Sequence, residues 1–238
     1  MVERTPDKGE VGGSIPPTPT LTSKFRSMKK QLKKLDAKIE NLIRGEIKKL
    51  FKKDKSEWTL QHTLRVVYWM KKILEKEKGN ERILIPAAYL HDIGYIETNV
   101  GKRKKMDKVY SRKFEHMKIG EKLCEKILSK FGTYFTKEEI ARICKLVKTH
   151  DLPEFKKIKM SRELQLLWEA DSLGAIDPTL KPTFSKGDIK KYLIHFKKIR
   201  APLFKTKTGK RLLKKIYPQT LKNWLGTNQP KVIHELGL

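Results

Sequence analysis

The sequence predicts an all-α domain: a helical bundle with a long N-terminal amphipathic helix and a basic C-terminal helical extension. Three observations carry this. Apolar residues recur three or four apart over most of the chain, and no stretch shows sustained strand alternation. Hydrophobic residues at 38% and charged residues at 34% suit helices with heavily solvated outer faces. At 238 residues there is material for one sizeable core with appendages.

Residues 1–21 hold Gly9, Gly12, Gly13, Pro6, Pro16, Pro17 and Pro19 and almost no large apolar side chains, which predicts a disordered tail. A basic helix follows within 22–53. Its apolar residues Phe25, Met28, Leu32, Leu35, Ile39, Leu42, Ile43, Ile47 and Leu50 predict one long helix from about Lys24 to Phe51. Residues 24–53 carry twelve Lys or Arg against three acids, a net of +9, so this element is either a solvated helix packed on the domain or an arm for nucleic acid or a partner. Its near-heptad spacing also permits a homodimer.

The main domain is expected over 54–180. Asp54 and Glu57 resemble a capping box for a helix that carries His62 and runs on through Leu74. A third helix, about Glu81 to Ile93, is apolar nearly all round and should be the central buried element. His91 and Asp92 close it, with Gly94 as its stop. Residues 95–108 break the periodicity and contain Lys102, Arg103, Lys104 and Lys105, a basic loop directly after the His-Asp pair. Helical patterns resume over roughly 109–130, 136–149, 160–176, 187–199 and 207–225, with a short piece near the C-terminus; 181–238 forms the basic extension. Within it, residues 181–222 have fourteen Lys or Arg against Asp188 alone, a net of +13.

Two cysteines, Cys124 and Cys144, fall in amphipathic patterns and read as core thiols, not a disulfide framework. The chain contains no apolar run of membrane-spanning length and no secretory signal pattern, so a cytoplasmic location is expected. A net charge of +28 attracts polyanions of any kind through long-range electrostatics.

Four of the six histidines, His62, His91, His116 and His150, fall on or at the ends of separate predicted helices, and two of them are followed by aspartate. Imidazole and carboxylate are the ligands that borderline divalent metals prefer. A carboxylate such as Asp92, set after an apolar run, is costly to bury without a cation.

The segments His62-Thr-Leu-Arg65-Val66, Ala87-Ala-Tyr-Leu-His91-Asp92-Ile-Gly94 and Glu169-Ala-Asp171-Ser-Leu-Gly174 resemble the signature of the HD superfamily of helical metalloproteins, across residues 56–176. The resemblance implies that His62, His91, Asp92 and Asp171 ligate one metal. Glu115-His116-Met-Lys-Ile-Gly120 and Lys148-Thr-His150 resemble the extra sites of dinuclear members, which implies a second ion held by Asp92, His116 and His150 with Asp92 shared. One or two divalent ions (Mn, Fe, Co, Ni, Mg or Zn) are the expected cofactor. His195 and His234 match no position in the pattern.

The activity so implied is metal-dependent hydrolysis of a phosphate ester, on a phosphorylated small molecule or nucleotide, with Asp92 at the metal and Arg65, Lys102 and Arg103 holding phosphate oxygens. The stretch Leu203-Phe-Lys-Thr-Lys-Thr-Gly209 resembles the start of the last helix in HD-type phosphohydrolases and is expected to wall the site with positive charge. Two departures narrow the subfamily. His150 is followed by Asp151-Leu152-Pro153, without the second histidine and Gly-Tyr-Pro of the HD-GYP cyclic-dinucleotide phosphodiesterases; Tyr95 stands where many hydrolytic members carry lysine. The same ligand set resembles the mixed-valent di-iron oxygenases. A third reading is a non-catalytic, basic nucleic-acid-binding protein with a structural metal.

Overall fold

In the first described helix, α1 (Ala37–Asp54), Asp36 acts as the cap: its Oδ1 accepts from the backbone N–H of Lys38 at 2.7 Å and of Ile39 at 3.4 Å. The unbroken helix expected from Lys24 is therefore corrected: a capping carboxylate here satisfies N–H groups that a preceding turn would otherwise bind. The computed structural model describes residues 1, 34–54, 57–98, 112–180, 182 and 185–226. The chain divides after Leu32, and every element below belongs to Lys33–Leu238. The tail expected over 1–21, most of the 95–108 loop and the short C-terminal helix lie outside the described residues.

Among the described residues every element is helical. Ile39, Ile43, Ile47 and Phe51 line the buried face of α1 at four-residue spacing. Its Glu40 accepts from Lys71 Nζ at 2.8 Å and from Tyr89 Oη at 3.0 Å, tying α1 to α2 (Glu57–Leu74) and α3 (Glu81–Leu90). Asn80 caps α3 through Arg82 N, and Ile83–Leu90 are all buried, as expected of a central element. One-turn α4 (Tyr95–Thr98) follows it. Next come α5 (Lys113–Ser129) and α6 (Lys137–Thr149), which pack against each other. A capping box between Thr136 and Glu139 starts α6. Cys124 and Cys144 meet across this pair as buried free thiols. A second one-turn helix, α7 (Leu152–Phe155), precedes α8 (Arg162–Ala175), which Ser161 caps and which is buried from Leu164 onward.

The C-terminal part consists of α9 (Lys186–His195), a π-helical turn over Phe196–Arg200, a 3-10 turn over Ala201–Leu203, and α10 (Lys207–Leu225). Glu169 of α8, fully buried, fastens this part down. It accepts from the backbone N–H of Lys205 at 2.7 Å and of Thr206 at 2.9 Å, and from the Thr206 hydroxyl. Thr206 is also the N-cap of α10, so a carboxylate sits where the helix presents unpaired N–H groups and the positive end of its dipole. The Thr-x-x-Gly segment is thus an anchor. Gly209 is needed in it because a Cβ there would lie 2.0 Å from Glu169 Oε2.

Two other glycines set how closely the core helices approach. A Cβ on Gly174 would meet Val66 Cγ2 at 2.6 Å and Val66 N at 3.1 Å, so α8 and α2 cross almost backbone to backbone. One turn away on each helix stand Asp171 and His62. At Gly94 a Cβ would lie 1.9 Å from the carbonyl oxygen of His116. Gly94 is not in the left-handed conformation that a terminal glycine often takes; among the described residues only Gly226 is a glycine with positive φ. What Gly94 provides is room for α5 to press against the His91-Asp92 corner.

No helix among the described residues is long and apolar enough to cross a membrane. Gly174→Ala is expected to lower stability by about 1–3 kcal/mol through overpacking, and Gly94→Ala by more, because its obstruction is backbone. Urea unfolding followed by circular dichroism measures both, and wild-type midpoints would show that these crossings are not tight.

Candidate metal centre

Asp92 lies where α3 has ended, with its carboxylate between two pairs of imidazoles. Its Oδ2 is 3.5 Å from His62 Nε2 and 3.3 Å from His91 Nε2; its Oδ1 is 3.5 Å from His116 Nε2 and 3.4 Å from His150 Nε2. Asp171, brought in by the α2–α8 crossing, has Oδ1 3.0 Å from His62 Nε2 and 3.6 Å from His91 Nε2. Two groups result, His62 with His91 and Asp171, and Asp92 with His116 and His150, each with donor atoms within 4.8 Å of one another and all six residues buried.

The rings are oriented from behind. The Nδ1 of His91 is 2.9 Å from the Ala88 carbonyl, that of His150 2.7 Å from Val147 and that of His116 3.3 Å from Arg112. A proton on Nδ1 donating to those oxygens leaves each Nε2 with its lone pair facing the cluster. His62 is held by stacking on Trp58, with centroids 5.5 Å apart and planes 9° from parallel. The Nε2 atoms of His62 and His91 are 3.2 Å apart, as are those of His116 and His150. Two lone pairs at that distance repel unless a proton or a metal ion is shared between them, and imidazole with carboxylate is a donor set that divalent transition metals accept. The residues present therefore fit metal ions.

Without metal the cluster takes up protons unevenly. Burial penalises the His91 imidazolium, but Asp92 and then Asp171 outweigh it and raise the pKa to about 9. His116 is lowered to about 4, by burial first and His150 second. Burial works against both carboxylates; His91 nonetheless holds Asp92, and the Arg200 guanidinium holds Asp171, well below the ordinary range.

A layer of buried charge surrounds the cluster. Arg200, set by the π-helical turn, donates to Asp171 Oδ2 at 2.5 Å and to Ser172 Oγ at 3.1 Å, and its guanidinium lies 4.4 Å from the Trp168 ring centre. Lys113 Nζ is 3.3 Å from Asp151 Oδ1 and 2.6 Å from Glu154 Oε2. Glu154 is also 2.8 Å from His195 Nε2 and 3.9 Å from Arg200 Nη1. Tyr95 stacks on His116 with centroids 4.0 Å apart, and burial pushes its phenol well above its ordinary pKa. A cavity of about 100 Å³ opens on the cluster, lined also by Trp58, Tyr95, Tyr192, Trp224, Lys113 and Arg200.

Six residues singled out from the sequence, His62, His91, Asp92, His116, His150 and Asp171, thus come together. Arg65 does not join them: its guanidinium donates to Thr179 Oγ1 and O at 3.1 Å and to Gln61 O at 3.0 Å, and it is not among the described residues lining the cavity. Its donors are instead engaged with Gln61 and the 177–179 turn, so the structure does not bring it to the cluster. Lys102, Arg103, Lys104 and Lys105 lie outside the described residues. His195 is engaged with Glu154. Sequence reasoning missed Lys113, Asp151, Glu154 and Arg200. For Asp151 a signal existed, since His150-Asp151 repeats the His91-Asp92 pair at another helix end; Arg200 was lost in a run of lysines.

This is a helical fold whose core helices deliver histidines and aspartates to one buried cluster. Residues 59–176 match the family model of the HD domain, and the chain belongs to the HD superfamily. No curated protein and no solved structure matches it.

In the metal-free protein His91 keeps its proton up to about 9, so at neutral pH an arriving ion has to displace it. Apparent affinity for Mn²⁺ is therefore expected to climb between roughly pH 7 and 9, by up to about tenfold per unit. Calorimetric titrations across that range provide the check, and affinity that stays level or falls would contradict the assignment.

Proposed function

We propose that the chain is a metal-dependent phosphohydrolase in which Asp92, with the histidines on either side of it and Asp171, would hold two divalent ions, and that it acts on a nucleotide or another phosphate ester. The observation that carries this is the Asp92 carboxylate, each of whose oxygens faces its own pair of imidazoles. His62, His91 and Asp171 would hold one ion; His116 and His150 the other. When bound, the ions supply Lewis acidity, lowering the pKa of water from about 15.7 to about 7 and neutralising charge on phosphoryl oxygens.

The protein's own groups do the positioning. The carbonyls of Ala88, Val147 and Arg112 keep three Nε2 atoms aimed inward, so the donors need no reorganisation as charge develops. Arg200 keeps Asp171 ionised and stops it from rotating away. The rings of Trp58, Tyr95, Tyr192 and Trp224 line the cavity beside the cluster, so a bound substrate would displace water from the site. Lys102 and Arg103, close in sequence to the Asp92 corner, supply positive charge to the outer phosphate oxygens.

A di-iron oxygenase is the rival reading, favoured by a donor set of four imidazoles against two carboxylates. Phosphate release under anaerobic conditions with Mn²⁺, Co²⁺, Ni²⁺ or Mg²⁺ is the expected result; turnover only with iron and dioxygen would sink the hydrolase. In His62→Ala, His91→Ala, Asp92→Ala and Asp171→Ala, bound metal and kcat/KM should fall together, the latter by at least about 10²–10³-fold. Variants that stay folded and lose metal yet keep full turnover would exclude a metal mechanism. A wild-type protein inactive on every phosphate ester, with Asp92→Ala unfolded, would instead point to a structural metal.

A further inference from the structure

Two helices of the fold end in the same way. Helix α3 stops at His91, whose Nδ1 meets the carbonyl three residues back at 2.9 Å, with Asp92 next and a one-turn helix after it. Helix α6 stops at His150, whose Nδ1 meets the carbonyl three residues back at 2.7 Å, with Asp151 next and again a one-turn helix. In both, the local geometry turns an imidazole and the following carboxylate toward one buried cluster. Asp151 is only 3% exposed, and its Oδ2 is 3.7 Å from His116 Nε2 and 3.7 Å from His150 Nε2.

The charges behind the two groups match as well. Asp171 turns Oδ1 toward His62 and His91 and gives Oδ2 to the buried Arg200. Asp151 turns Oδ2 toward His116 and His150 and gives Oδ1 to the buried Lys113. Glu154 lies between the two cations, 2.6 Å from Lys113 Nζ and 3.9 Å from Arg200 Nη1. Two ligand atoms each about 2.1 Å from one ion at a tetrahedral angle stand about 3.4 Å apart. The 3.7 Å separations at Asp151 are close to that value and to the 3.0 and 3.6 Å at Asp171.

We propose that Asp151 is a ligand of the second ion, so that each ion is held by two imidazoles, one oxygen of Asp92 and one terminal carboxylate, Asp171 for the first and Asp151 for the second. This rests on the two-ion reading of Asp92. Lys113 is then a positioning residue that directs one Asp151 oxygen away from the ion, as Arg200 does for Asp171.

The full-length protein is titrated with Mn²⁺ and bound metal is counted by equilibrium dialysis with elemental analysis. Wild type is expected to bind two ions, and Asp151→Asn to keep the first while weakening the second by at least about tenfold. Asp151→Cys loaded with two Co²⁺ should show a near-ultraviolet thiolate-to-cobalt charge-transfer band, which a merely structural residue would not produce. In Mn²⁺-loaded wild-type crystals an Asp151 oxygen should stand about 2.2 Å from the second anomalous peak, a readout that needs no variant to fold. Two ions bound with wild-type affinity by Asp151→Asn, no band in Asp151→Cys, or an Asp151 oxygen beyond about 3 Å from the peak would each overturn the assignment and leave the two-ion reading standing. A single ion in wild type would overturn both.

Discussion

Everything in this domain is arranged around one buried carboxylate that faces four imidazoles. An ionised Asp92 is affordable there only beside positive charge, and imidazole nitrogens 3.2 Å apart need a shared proton or a metal ion between them. Protons hold the cluster together when no metal is bound, and a metal ion competes with them for the same nitrogens. The chain assembles it from helices that are close neighbours only because Gly174 and Gly94 lack side chains. The same crossings that close the hydrophobic core deliver the ligands.

The surrounding ion pairs follow from that constraint. Buried pairs seldom add stability, since desolvation of both partners offsets their attraction, but removing one partner strands the other. Arg200 with Asp171 and Lys113 with Asp151 are better understood as devices of orientation. Each cation engages one carboxylate oxygen and leaves the other directed at imidazole nitrogens. Stacking of Arg200 on Trp168 and of Tyr95 on His116 fixes the planes of those groups with few rotatable bonds.

Much of this was legible in the sequence. The 3.6-residue periodicity located α2, α3, α5, α6, α8 and α10 to within a few residues, because each buries one continuous stripe. The HD-type signature led to all six residues of the cluster, since His-Asp at the end of an apolar helix is rare without a chemical reason. Asp36 as a helix start was not legible: Leu35 and Ile39 keep the apolar spacing across it, so periodicity runs straight through a cap. Arg200 could not be told from its neighbours by composition, because only the π-helical turn makes it the basic residue that points inward. Arg65 lies one turn from a ligand, but its hydrogen bonds go to Thr179 and Gln61, which sequence spacing could not show.

The Glu169 clamp sets where the domain can be cut. Glu169 stands two residues before Asp171 on the same buried helix, and its partners are the backbone of Lys205 and Thr206 with the Thr206 hydroxyl. A fragment ended near residue 180 would leave that carboxylate with only the Gln165 side chain as donor and would also remove Arg200 from Asp171. The basic C-terminal extension, however appended it looks in the primary structure, belongs to the smallest autonomous unit, and a recombinant boundary is sound only beyond α10.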